Sequence, residues 1–127
     1  MKTIDNVAVW FEIPVTNLER AKKFYETVLD ISMHDLDIGE DLKMALFPNT
    51  EGTIGGSLCE RHEFYTPSQQ GALIYLNASP DLEEALQRVE TAGGKILLKK
   101  RQISPEYGYM ALIIDSEGNR IALHSMT

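Results

Sequence analysis

A nine-residue phrase occurs twice in this 127-residue chain, and the distance between its copies constrains the fold more than any other feature. The copies are "MALFPNTEG" at 44–52 and "MALIIDSEG" at 110–118, which share Met, Ala, Leu, Glu and Gly at the same spacing. Two other segments repeat at nearly the same offset, "NLERA" at 17–21 and "DLEEA" at 81–85. A period of about 65 residues that occurs only twice is too long for a solenoid and indicates an internal duplication.

Both halves of the chain show the same predicted order of elements. Helical spacing of apolar residues predicts one helix from Thr16, which forms a capping-box pattern with Glu19, and a second that begins at Ser79 or Asp81. The predicted strands are 7–15, 32–38, 42–48, 55–61, 71–78, 95–103, 107–115 and 120–125, with tight turns at "GED" (39–41), "NTEG" and "DSEGN". Each half is therefore predicted to be a βαβββ module.

One domain over 1–127 is predicted, with α+β architecture. Module 1 covers about 1–64, a polar linker covers 65–71, and module 2 covers about 71–127. Because a unit of about 60 residues buries too little surface to be stable alone, the two modules should pack against each other.

Composition excludes several classes of partner. The net charge is −7 and no basic cluster is stronger than "KKR" at 99–101, which argues against nucleic acid. No apolar run approaches the ~18 residues of a membrane span. The start of the chain lacks signal-peptide features, and the single Cys59 fits a reducing compartment, so a cytoplasmic location is predicted.

The duplication, with "VTNLERAKKFY" at 15–25 and "DSEGNRIALHS" at 115–125, resembles the vicinal oxygen chelate superfamily. This superfamily includes glyoxalase I, bleomycin-resistance proteins, fosfomycin-resistance enzymes and extradiol dioxygenases. The resemblance implies that the sheets of the two modules form a cup-shaped cavity that holds a divalent metal and a small organic molecule. It also implies a homodimer. Function does not follow from such a fold alone.

The resemblance places three metal ligands at positions that carry unsuitable residues here. These positions fall on Trp10, on Leu73 or Ile74, and on Ala122, where the family pattern has its final Glu. None of these side chains can ligate an ion. We therefore expect no cofactor and no metal at the usual positions, and a divalent metal would require relocated ligands.

Strand alternation predicts which polar residues face the cup. Trp10 and Glu12 should do so from the first strand, and Arg120 and His124 from the last. An unpaired buried carboxylate is costly, so Glu12 is a solvated residue, a structural partner of Arg120, or a functional group. In the functional reading Glu12 is a general base and His124 an acid. If a metal is bound, the same two residues are its candidate ligands.

Aromatic, Met and basic side chains supply the predicted ligand-binding wall, although core packing is the alternative role for the aromatics. The predicted set is Trp10, Met44, Tyr75, Tyr107, Tyr109, Met110 and Arg120. Alternation further predicts that Tyr107 and Tyr109 share a face. Two functions stay open: metal-free binding of a small organic molecule, in the manner of bleomycin-resistance proteins, or a glyoxalase-like lyase or isomerase, or dioxygenase-like enzyme, with relocated metal ligands that include Glu12 and His124.

Overall fold

A computed structural model of the protein describes residues 1–39 and 41–127, so that Glu40 of the predicted "GED" turn lies outside the described residues. The elements in chain order are β1 (Trp10–Pro14), α1 (Leu18–Leu29), β2 (His34–Asp37), β3 (Lys43–Leu46), β4 (Gly55–Glu60), β5 (Tyr75–Asn77), α2 (Leu82–Val89), β6 (Lys95–Ser104), β7 (Gly108–Ile114) and β8 (Arg120–Ser125). No helix among these is long and apolar enough to cross a membrane.

The strands form two four-stranded sheets that do not close into a barrel. Their orders are β1-β4-β3-β2 and β5-β8-β7-β6, so each module builds one sheet with the same topology. In both sheets the first strand of the module pairs in parallel with the last, and the other pairs are antiparallel. The predicted α+β fold of two βαβββ modules is therefore confirmed.

Strand register shows that the repeated phrase occupies the same place in both sheets. Met44 of β3 lies opposite Cys59 of β4, and Met110 of β7 lies opposite His124 of β8. Met44 and Met110 are equivalent in the repeat, so Cys59 is the counterpart of His124.

The first strands of the modules match in the same way. Glu12 lies opposite Ser57, and Tyr75 lies opposite Ala122. Glu12 in module 1 is thus the counterpart of Tyr75 in module 2, and Ser57 is the counterpart of Ala122.

Several element boundaries differ from the predicted ones. The first strand begins at Trp10 rather than at residue 7, and Val7 and Val9 are exposed. The fifth strand is limited to Tyr75–Asn77. The N-cap of α1 is Asn17, whose side chain accepts a hydrogen bond from the backbone N–H of Arg20, so the predicted Thr16 capping box is wrong. In α2 the cap is Asp81, one of the two predicted candidates.

A single hydrophobic core joins the two modules. It contains Phe24 and Tyr25 of α1 together with Leu82 and Val89 of α2, and alternate residues of both sheets pack against these helices. Neither sheet therefore keeps a core of its own. This observation agrees with the expectation that one module is too small to be stable alone.

The turn between β7 and β8 binds module 2 to the first helix of module 1. The carboxylate of Glu117 accepts hydrogen bonds from the backbone N–H groups of Thr16 and Asn17, both at 2.9 Å, and from Arg20 Nε at 2.7 Å. Burial alone would raise the pKa of Glu117, but these hydrogen bonds outweigh it and lower the pKa to about 2. The equivalent Glu51 in the other turn is exposed.

Two more side chains of this turn form hydrogen bonds to other parts of the chain. Asp115 is buried and accepts a 2.5 Å hydrogen bond from the hydroxyl of Tyr25. The amide of Asn119 donates to the carbonyl oxygen of Pro14 at 2.7 Å and accepts from the N–H of Ser68 at 3.0 Å. The "DSEGN" segment therefore connects the two modules through hydrogen bonds. Its polar side chains have a structural role.

Candidate functional site

The positions that hold metal in the family do not fit a metal ion here. The core takes Phe11 and Ile74 on the helix side of their strands, so Leu73 rather than Ile74 is the counterpart of Trp10. Trp10, Leu73 and Ala122 offer no oxygen, nitrogen or sulfur ligand for a cation. Nor do His, Cys, Asp and Glu side chains form a group of three suited to a metal anywhere in the described part of the chain. Whether the protein binds a metal elsewhere stays a prediction.

The second sheet carries a cavity of about 670 Å³ on its face away from the helices, here called the open-face cavity. Leu76 and Leu123 point into the core, so their neighbours along β5 and β8 point the other way. The lining residues are Tyr75, Asn77, Ser79, Ile103, Tyr107, His124 and Met126. Tyr75 and Tyr107 remain 49% and 63% exposed, so the core does not use these two rings. Three residues of the predicted site, Tyr75, Tyr107 and His124, therefore meet in one cavity.

His124 is held in place at the centre of this group. Its Nε2 lies 2.6 Å from the carbonyl oxygen of Tyr107, and because a carbonyl only accepts, Nε2 is the donor in this bond. The rings of His124 and Tyr75 have centroids 6.4 Å apart in an edge arrangement. Together these contacts provide an aromatic wall with one free imidazole nitrogen.

The corresponding face of the first sheet is filled. Cys59, the counterpart of His124, is fully buried and its sulfur lies 3.2 Å from the hydroxyl of Ser57. Burial raises the pKa of the Cys59 thiol to about 11. The hydroxyl of Tyr65 donates to Glu12 at 2.7 Å, and that bond, followed by burial, raises the pKa of Tyr65. This arrangement supports a structural role for Cys59 and gives no sign of an activated thiolate.

Glu12 and Arg120 line a different, smaller cavity of about 170 Å³, here called the linker cavity. Its other walls come from Ile13, Pro14, Thr66, Ser68, Gln70, Ala72, Ile74, Asn119 and Ile121. Glu12 is not in an ion pair with Arg120, which was one of its predicted roles. Nor do Glu12 and His124 line a common cavity, although their predicted acid and base roles need a shared substrate. Their catalytic roles stay predictions.

The remaining predicted wall residues lie elsewhere. Met44 and Met110 are buried in their sheets, and Trp10 is 45% exposed beside Gly55, where no described cavity includes it. Tyr109 packs against the core, with Lys100 Nζ 4.7 Å from the centre of its ring.

The prediction that Tyr107 and Tyr109 share a face is wrong. Gly108 between them has a φ of +80°, which breaks the alternation at the start of β7. Tyr107 therefore belongs to the turn and reaches the open-face cavity, whereas Tyr109 lies on the helix side.

Four residues of the open-face cavity are not among the predicted site residues: Asn77, Ser79, Ile103 and Met126. Asn77 could have been found, because it is two residues after Tyr75 on the same strand and must share its face. Ile103 and Met126 lie near the ends of β6 and β8, where no pattern in the sequence indicates which side chains turn inward.

Comparison with known proteins identifies the family. The sequence model of the Glyoxalase/Bleomycin resistance protein/Dioxygenase superfamily matches residues 4–123. The chain therefore belongs to this superfamily, as the resemblance predicted. No curated protein has significant sequence similarity to it.

Solved structures of low sequence identity share the fold. A hypothetical protein from S. aureus is 21% identical with a TM-score of 0.68, and the match covers 98% of this chain and 95% of that one. A glyoxalase/bleomycin resistance protein from Albidiferax ferrireducens T118 is 16% identical with a TM-score of 0.69, over 96% of this chain and all (100%) of the other. The fosfomycin resistance protein FosX from Listeria monocytogenes is 14% identical with a TM-score of 0.65, over 98% and 94%.

Proposed function

We propose that this protein binds a small organic molecule in the open-face cavity, without a metal at the positions that the family uses. The observation that carries the proposal is the meeting of Tyr75, Tyr107 and His124 around one cavity. A volume of about 670 Å³ is in the range of small-molecule sites, which run from roughly 300 to 1,000 Å³. The two exposed phenol rings contribute nothing to the core and present aromatic surface on which a planar ligand would stack.

The chemistry of the wall suggests the kind of molecule. Tyr75, Ile103, Tyr107 and Met126 offer apolar and aromatic surface, and no lining residue carries a fixed charge. His124 Nδ1 and the amide of Asn77 supply the polar contacts. We infer an uncharged or weakly cationic aromatic compound with a hydrogen-bond donor directed at His124.

We further propose a cytoplasmic homodimer. Val7, Val9 and Trp10 form an exposed apolar stretch before and at the start of β1, larger than a single surface residue would explain. A second copy that covers this stretch would remove it from water. The free Cys59 is compatible with a reducing compartment.

A screen of aromatic compounds by ligand-observed NMR tests the proposal. Compounds that bind the wild type should lose about tenfold or more of their affinity in Tyr107→Ala or His124→Ala. Tyr109→Ala is the matched control, because Tyr109 lies on the helix side of the neighbouring strand. Binding that is equally affected by the control would contradict a site in the open-face cavity.

Metal analysis separates the metal-free reading from the enzyme alternative. We expect no stoichiometric divalent ion in the purified protein and no rise in Tm with Zn²⁺, Ni²⁺, Mn²⁺ or Fe²⁺, because an ion that does not bind the folded state does not stabilise it. A tightly bound metal that is lost in both Glu12→Gln and His124→Ala would instead support a lyase, isomerase or dioxygenase-like enzyme with relocated ligands.

A further inference from the structure

The linker cavity is a second candidate site, separate from the open-face cavity because the two share no lining residue. It lies where the end of β1 meets the linker and the start of β8, so both modules contribute to it. Its volume of about 170 Å³ admits only a small molecule.

The walls of this cavity are preformed. The N–H of Arg120 donates to the carbonyl oxygen of Ser68 at 3.3 Å, and Arg120 Nη2 donates to that of Gly71 at 3.0 Å. Asn119 holds the N–H of Ser68 from the same side. These bonds fix the linker over the cavity. A ligand would therefore bind without the entropy cost of ordering the linker.

Two opposite charges face this cavity without neutralising each other. Glu12 accepts a hydrogen bond from Tyr65 but forms no ion pair with any described residue. Arg120 donates through Nη2 to the carbonyl oxygen of Gly71 and likewise forms no ion pair with any described residue. The cavity is therefore lined by one exposed carboxylate and one guanidinium group that are not paired with each other.

The duplication shows that the fold does not require these charges. An apolar groove of about 380 Å³ occupies the corresponding place at the other end of the contact between modules. There Tyr75 stands in the position of Glu12, and Ile54 in that of Asn119. Gly55 is the counterpart of Arg120. The charged pair is therefore a feature of one copy only.

We propose that the linker cavity binds a small aliphatic amino acid. Its carboxylate would accept from Arg120, and its ammonium group would donate to Glu12. The short side chain would contact Ile13, Ala72 and Ile74, which form an apolar part of the wall. A molecule with both charges and a few carbon atoms is the smallest that satisfies both groups at once.

Isothermal titration and NMR titration of the wild-type protein test this with L-alanine and L-valine. Propionate and ethylamine serve as half-ligands, because each carries one of the two charged groups. We expect saturable binding of the amino acids at least tenfold tighter than that of either half-ligand. L-Phenylalanine should bind more weakly than L-valine, since its larger side chain must share a cavity of about 170 Å³ with the carboxylate and ammonium groups.

Charge-neutralising variants locate the site. Arg120→Gln and Glu12→Gln should each weaken amino-acid binding by about tenfold or more, the usual effect of losing a charged hydrogen bond. Arg101→Gln and Glu51→Gln are matched controls, because both residues are exposed and line none of the described cavities. They should leave the affinity unchanged.

Three results would overturn the proposal. One is an absence of saturable binding by the wild type, which does not depend on how any variant folds. The second is equal affinity for propionate and L-alanine, which would indicate an anion site at Arg120 alone. The third is binding that both charge variants leave intact. The open-face cavity is tested independently, because His124→Ala should not change amino-acid binding.

Discussion

The carboxylate of Glu117 lies 2.7 Å from Nε of Arg20, although 97 residues separate the two in the sequence. Glu117 is in the turn of module 2, and Arg20 is in the first turns of the first helix of module 1. Because the Glu117 side chain is completely buried, its charge depends on this contact and on the N–H groups at the start of the helix. The Glu of this repeated turn therefore joins the two modules in its second copy, whereas the equivalent Glu51 of the first copy is exposed.

The variant Glu117→Gln should destabilise the protein by about 2–3 kcal/mol, because several charge-assisted hydrogen bonds are lost together. Glu51→Gln changes the same residue in the equivalent turn of module 1, where the side chain is exposed. We expect that control to stay within about 0.5 kcal/mol of the wild type. Urea unfolding followed by circular dichroism measures both, and equal effects would show that the inter-module contact contributes nothing.

Low pH should remove the stabilisation that the Glu117 carboxylate provides. The pKa of Glu117 is lowered from 4.5 to about 2, so the folded state holds the ionised form more strongly than the unfolded state does. The resulting stability is complete above about pH 5 and is lost as the pH falls through the folded pKa. Unfolding free energies measured from pH 6 to pH 2.5 should decline more steeply for the wild type than for Glu117→Gln. Parallel curves would contradict the lowered pKa.

Tyr25→Phe should cost about 1.5–3 kcal/mol, since the buried carboxylate of Asp115 would lose a charged hydrogen bond without gaining water. The phenylalanine ring retains the packing of Tyr25 against Phe24 and Phe47. Tyr109→Phe is the matched control, because the Tyr109 ring is only partly buried and contacts Lys100 through its face. Thermal unfolding that gives the same Tm for both variants would refute the role of the Tyr25 hydroxyl.

Cys59 should be almost inert to thiol reagents in the folded protein. A pKa of about 11 leaves roughly one thiol in a thousand ionised at pH 8, and the sulfur is fully buried. Labelling with a chromogenic disulfide at pH 8 should therefore be slow in buffer and complete within minutes in denaturant. Rapid labelling of the native protein would show that the first sheet opens far more readily than its packing implies.

Much of the architecture is readable from the chain because the duplication repeats local signals. The period of about 65 residues, the helix-start patterns and the alternation of apolar residues are properties of short segments, and they set the order of elements in both modules. Where local signals compete, the prediction fails. Thr16 has the pattern of a helix cap, but its hydroxyl is bonded to Glu117 and Arg20, and the side chain of Asn17 caps the helix instead.

The candidate site depends much more on tertiary structure. Sequence alternation correctly separates Glu12 and His124 from the core, but it does not reveal that they line different cavities. The positive φ of Gly108 interrupts the strand alternation. Tyr107 therefore lies in the open-face cavity and Tyr109 on the helix side. A local pattern gives the face of a strand on which a side chain lies, and it contains no distance between strands.

The sequence by itself determined the two βαβββ modules and the family resemblance. It also put Trp10 and Ala122, which cannot ligate an ion, at two positions where the resemblance places metal ligands. Only the tertiary structure decided which residues meet. It buried Glu117 of the "DSEG" turn between the modules and left Glu51 of the equivalent "NTEG" turn exposed. It also filled one sheet face with Cys59 while keeping His124 accessible. The physical reason is that equal sequences form equal strands and turns, whereas burial and charge pairing depend on neighbours that are distant in the chain.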